Sequence, residues 1–118
     1  MRDWIEAGWN QRRDSAIEDF CAEDFSGQDA RHGLLWGHDG IGRLMAQMLI
    51  AFPDLRVRID DLVAEGDLVV LHVHTTRGDD TPGRAIVDIF RIDDGKVVEH
   101  WDVIQDVPAQ PANSHGMF

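Results

Sequence analysis

At Pro53 the hydrophobic rhythm of the chain changes, and this change constrains the fold more than any other feature of it. Upstream, Ile41, Leu44, Met45, Met48, Leu49 and Phe52 form one unbroken stripe at helical spacing, which predicts a helix over about 39–52 that Pro53 ends. Downstream, Leu55-Arg-Val-Arg-Ile-Asp60 alternates apolar and polar residues as a strand does. Three more strands follow, over 68–76, 84–92 and 96–105. They are punctuated by Glu65-Gly-Asp67, by the loop from Gly78 to Gly83 and by Asp93-Asp94-Gly95. The start of the chain is helical too: Trp4, Ile5, Gly8 and Trp9 share one face, and Ser15-Ala-Ile-Glu18 has the capping-box pattern of a second short helix carrying Ile17, Phe20 and Cys21. Residues 26–38, with Gly27, Gly33 and Gly37 and no period, are expected to be a loop. Helices first and antiparallel strands second predict an α+β domain over 1–105, with helices on one face of the sheet and a tail over 106–118.

The chain has 118 residues, 22 acidic and 11 basic side chains, and a formal net charge of −11. This balance argues against nucleic acid and anionic membrane as partners, since both demand local positive potential. No apolar run is long enough to span a bilayer and no leader pattern opens the chain. The one cysteine, Cys21, cannot form an internal bridge, so a reducing, cytoplasmic setting is the expectation, with Cys21 inert in the core.

The long strands carry polar residues inside apolar runs. If Asp93-Asp94-Gly95 is a three-residue turn, Ile92 pairs with Lys96 and Asp88 stands opposite His100. Asp88, Phe90, His100, Asp102 and Ile104 then share one face, and Val87, Ile89, Val97 and Trp101 the other. A two-residue turn would invert this parity. On the preceding strand His72 and His74 share a face with Leu68 and Val70. Two carboxylates and up to three imidazoles on a concave sheet make an acid–base constellation, whereas on a wet face the same residues need no explanation. His72-Val-His74 also has the spacing to share a metal ion, with His100 or Asp102 as third ligand, though no cysteine cluster accompanies it.

The order of elements, together with Phe90-Arg-Ile-Asp-Asp-Gly-Lys-Val-Val-Glu-His-Trp101-Asp-Val-Ile104, resembles the SnoaL-like polyketide cyclases. These belong to the nuclear-transport-factor-2-like superfamily, which includes ketosteroid isomerase and limonene epoxide hydrolase. Trp9-Asn10, Ala22-Glu-Asp-Phe25, Ala51-Phe-Pro-Asp54 and Ala64-Glu-Gly-Asp67 are similar to the same pattern. The resemblance implies a cone-shaped, cystatin-like α+β barrel, with three N-terminal helices on a curved, mostly antiparallel sheet enclosing a pocket. It makes the face of Asp88, His100 and Asp102 the pocket wall. Asp88 falls where ketosteroid isomerases keep a protonated oxyanion donor, and an ungapped register puts Asp29 where they keep the base. Their partner tyrosine has no counterpart, because the chain has no Tyr. Asp102 is similar to one aspartate of the epoxide hydrolases, but their Arg-x-Asp pair is His72-Val-His74 here, and an Asp of ester-cyclase relatives is Gln105.

The expectation is therefore a cofactor-free enzyme that transfers a proton next to a carbonyl, in an aldol-type cyclisation or an isomerisation of a small apolar compound. Asp102 would be the acid/base and Asp88 a neutral donor, with His100, His74 and His72 orienting or relaying protons and Asp29 a further candidate. Trp4, Trp9, Trp36, Phe90 and Ile104 would contact the substrate. A homodimer through the outer sheet face is the family expectation. The alternative is a non-catalytic binding or scaffold protein of the same fold.

Overall fold

The computed structural model describes the backbone of residues 1–29 and 33–118, and the side chains of these residues other than 28, 29 and 33–36. A short helix, α1 (Arg2–Ile5), runs straight into a π-helical turn over Glu6–Asn10. Then come α2 (Ala16–Phe20), β1 (Cys21–Asp29), β2 (Gly33–Trp36), the long α3 (Gly37–Ala51), β3 (Arg56–Glu65), β4 (Leu68–Thr76), β5 (Arg84–Asp93) and β6 (Lys96–Asp106). The strands form one curved sheet of six in the order β2-β1-β6-β5-β4-β3. All neighbours are antiparallel except β1 and β6, which are parallel. This is the α+β cone expected of the sequence.

The helices cover the concave face because each buries one stripe. Ile41 and Met45 of α3 join Trp4 and Ile5 of α1 and Phe25 of β1 in a core with Leu71, Val73 and Phe90 of the sheet. Gly8 permits the close approach of the first helical segment to α3: a Cβ there would lie 3.0 Å from the Trp4 ring and 3.2 Å from Met45 Cε. Asn10 stitches this segment to the sheet edge. Its amide donates to the Val57 carbonyl at 2.9 Å and accepts from the Val57 N–H at 2.9 Å, as a neighbouring strand would.

Three local expectations are corrected. The glycine-rich stretch expected to be a loop contributes the last four residues of β1 and all of β2, an antiparallel hairpin pairing Ser26 with Trp36 and Asp29 with Gly33. Its missing alternation reflects strand pairing that long-range contacts impose on a segment of weak local preference. Cys21 begins β1 instead of ending α2. The Ser15 hydroxyl does not cap α2 but donates to Asp19 at 3.1 Å.

The β5–β6 turn carries the correction that matters most for the site. Asp93 pairs with Lys96, so the turn has two residues, and both Asp94 (φ 49°) and Gly95 (φ 73°) have the positive φ that such a hairpin demands. That turn alone would send His100 to the outer face. The register shifts, however, between Ile92↔Val97 and Arg91↔Glu99, leaving Val98 as an extra residue on β6. The bulge restores the parity: Phe90 pairs with His100 and Asp88 with Asp102. Val97, before the bulge, is buried among the core residues rather than on the outer face.

Candidate active site

The concave face of the sheet and the helices above it enclose a cavity that, with its open mouth, holds about 910 Å³ of empty space. Its wall is mostly apolar. Trp4, Trp9, Ile41, Leu44 and Met48 line it from the helices, and Val57, Val73, Ile86, Phe90, Val97 and Ile104 from the sheet. Such a lining with few polar groups is the usual character of a small-molecule site. The polar exceptions are Thr75, Asp88, His100 and Asp102, with Arg77 and Arg84.

Alternation along β5 and β6 turns Asp88, His100 and Asp102 inward together. Asp88 and Asp102 are directly opposite across the strand pair, and His100 sits one inward position before Asp102. His100 Nε2 lies 2.7 Å from Asp88 Oδ1, with the two side chains only 16% and 12% exposed. The Phe90 ring stacks on the imidazole at 4.6 Å and 21°, fixing its plane. One ligating atom from each of Asp88, His100 and Asp102 falls within 4.8 Å of the others, so the three groups face one small volume, and this is also the set that could hold a metal ion. Cys21 lies in the same wall, 2% exposed, and burial pushes its thiol up to about 12. At neutral pH it is therefore an uncharged part of the lining.

His72 and His74 are not part of this constellation. Leu71 and Val73 are buried on the cavity side of β4, so the residues beside them point to the convex face. There His74 pairs across β5 with Ala85 and His72 with Val87. His72 Nδ1 is 3.7 Å from Asp61, and His74 Nε2 is 2.7 Å from the Pro82 carbonyl oxygen. The Phe118 ring stacks on both imidazoles, at 5.3 Å and 4.2 Å. The expected relay role, and a metal set joining this pair to His100 or Asp102, are both corrected by the sheet itself, which lies between them. The side chains of Asp29 and Trp36 lie outside the described residues. Trp4, Trp9, Phe90 and Ile104 stand in the cavity wall.

The model of the SnoaL-like polyketide cyclases matches residues 1–112. The chain belongs to that family. Among solved structures, a SnoaL-like protein of unknown function from Burkholderia thailandensis is 25% identical over 88% of this chain and 89% of its own, with a TM-score of 0.76. AclR of Streptomyces galilaeus, described as a candidate hydroxylase, is 29% identical over 86% of this chain and 83% of its own, with a TM-score of 0.67. IdmH of Streptomyces antibioticus, a candidate polyketide cyclase, is 23% identical over 88% of both chains with a TM-score of 0.73, a likeness of fold. No curated protein matches the chain. No helix among the described residues is long and apolar enough to cross a membrane.

Thr75, Arg77 and Arg84 are site residues that sequence reasoning missed. Thr75 pairs with Arg84 across β4 and β5, and both face inward. The parity that selects Asp88 also selects Ile86 and Arg84, so Arg84 was within reach of the same reasoning. Arg77 follows the end of β4, where no period exists to orient it.

Proposed function

We propose that this SnoaL-like protein is a cofactor-free acid–base enzyme that moves a proton at the carbon beside a carbonyl, in an aldol-type cyclisation or an isomerisation of a small apolar compound. The observation that carries the reading is Asp102 standing opposite Asp88 and beside the Asp88–His100 pair in an otherwise apolar cavity. The Asp102 carboxylate takes the proton from the α-carbon. The C–H electron pair becomes the double bond of an enolate, and the carbonyl oxygen gains the negative charge. The Asp88–His100 pair, joined by its own hydrogen bond across 2.7 Å, supplies a further donor to that oxygen. In a cyclisation the enolate carbon then attacks a second carbonyl and Asp102 returns its proton to the new alkoxide. In an isomerisation the proton returns to a different carbon. Positioned acid–base groups of this kind accelerate proton transfer by about a hundredfold to ten-thousandfold.

Exchange of the α-protons of β-tetralone in heavy water, followed by NMR, tests the reading without the natural substrate. The wild-type protein is expected to accelerate exchange, and Asp102→Asn to lose at least about a hundredfold of that acceleration. Exchange at the buffer rate, or an unchanged rate in Asp102→Asn, returns the cavity to a binding site without chemistry.

The same reading takes the protein as a cytoplasmic homodimer joined through the convex face of the sheet. Its support is the apolar character of that face, where Val87 is 39% and Val103 69% exposed beside Ile89 and Trp101. Light scattering at micromolar concentration is expected to give twice the mass of the chain, and a monomer overturns it.

A further inference from the structure

The cavity is not equally charged along its length. Asp88 and Asp102 stand in its middle, while Arg84 and Arg77 stand toward the end where β5 begins and β4 finishes. Arg84, Ile86 and Asp88 occupy successive inward positions on β5, so Arg84 and Asp88 are four residues, or about 13 Å of strand, apart. Arg84 Nε donates to Asp106 at 3.0 Å, which orients the guanidinium and engages one edge of it. Arg77 is held differently. Its guanidinium carbon lies 4.3 Å from the centre of the Phe52 ring, and it is half-buried. The Arg77 charge also acts on the carboxylate of its exposed neighbour Asp79, which is held below its ordinary value first by the hydrogen bonds from Thr81 and only secondarily by Arg77. Thr81 donates to Asp79 from its hydroxyl at 2.6 Å and its backbone N–H at 3.1 Å.

We infer that Arg77 and Arg84 form an anion-recognising rim to the cavity, and that its substrate is an elongated apolar carbonyl compound with a carboxylate or similar anionic group at the end away from the reacting carbon. This deepens the reading above and rests on it in taking the cavity as the substrate site. A partly buried guanidinium held on an aromatic ring keeps its hydrogen-bond donors available, and a carboxylate matches their geometry. The chain as a whole repels anions, with a net charge of −11, so an anion entering this cavity must be drawn by a local feature. The two cationic groups on the rim are that feature. The charge gradient also fixes the direction of entry: the anion stays by Arg77 and Arg84, because Asp88 and Asp102 repel it, and the apolar carbonyl end reaches the acid–base group.

A matched pair of fluorescent probes tests this: anilinonaphthalene sulfonate and its uncharged parent, phenylnaphthylamine. The native protein is expected to bind the sulfonate at least about tenfold more tightly than the parent, the effect of one charge-assisted hydrogen bond. Arg77→Met and Arg84→Met are each expected to remove most of that preference while leaving the affinity for the parent unchanged, and Arg77→Lys to keep part of it. Ile104→Trp, which fills the cavity, is expected to weaken both probes. Equal affinities, no binding of either probe, a preference that survives Arg77→Met and Arg84→Met, or sulfonate binding that ignores Ile104→Trp overturns the inference. Asp102→Asn separates the two readings: it is expected to lose the acceleration of proton exchange yet keep the probe preference, so failure of one leaves the other standing.

Discussion

The two faces of the sheet hold nearly the same chemistry and do opposite things with it. On the concave side an imidazole and a carboxylate, His100 and Asp88, meet at 2.7 Å with little exposure, clamped by the Phe90 ring. On the convex side His72 and Asp61 stand 3.7 Å apart, with 32% and 80% of their side chains exposed, and a phenyl ring again lies on the imidazole, that of Phe118. The convex pair is screened by water and contributes little; the concave pair is largely shielded from it, so its hydrogen bond is the stronger contact of the two. A histidine and an aspartate within a strand therefore mean little until the face is known.

The largest expected difference between the faces is catalytic. Asp102→Asn should lower the rate of α-proton exchange by at least about a hundredfold, whereas His72→Ala and His74→Ala should leave it within about twofold. A convex-face variant as damaging as Asp102→Asn breaks the comparison.

Stability should separate the faces next. His100→Ala leaves the Asp88 carboxylate largely buried without its partner and should cost about 2–3 kcal/mol in urea unfolding, against less than about 0.5 kcal/mol for Asp61→Asn. Equal costs would mean that the concave pair is as well hydrated as the convex one.

A third difference lies in pH. The Cys21 thiol is raised from 9.0 to about 12 by burial, so above pH 9 the unfolded chain releases this proton while the folded chain keeps it. The stabilisation is complete below pH 9 and is lost as pH rises toward 12, with a slope of at most about 1.4 kcal/mol per pH unit. Cys21→Ala should flatten that part of the stability curve. An identical slope in the variant assigns it to other groups.

The smallest effect belongs to the tail. Phe118→Ala should shift the ring-proton NMR signals of His72 and His74 by removing the stacked ring, and change stability by no more than about 0.5 kcal/mol. Signals of His100 should not move. If they do, the faces communicate through the sheet.

Much of this was legible in the residues. The α3 stripe from Ile41 to Met48, the alternation at the start of β3, the apolar runs of β4 and β5 between turn signals and the order of helices before strands follow from local pattern, which survives in any compact fold of the chain. The grouping of Asp88, Phe90, His100, Asp102 and Ile104 on one face was also legible, although through a three-residue turn that does not form. The hairpin of β1 and β2 was not, since its glycines carry no periodic signal and its pairing depends on contacts with β6.

By itself, then, the sequence determined the period of each segment and the parity of residues within one strand, because both are set by the covalent geometry of the backbone. Only the tertiary structure decided which parity faces the cavity. A bulge at Val98 offsets the two-residue turn and brings Asp102 in, and the packing of Leu71 and Val73 under the helices sends His72 and His74 out. The physical reason is that a strand's two faces are equivalent until one of them is buried, and burial is settled by the whole set of elements that share the core.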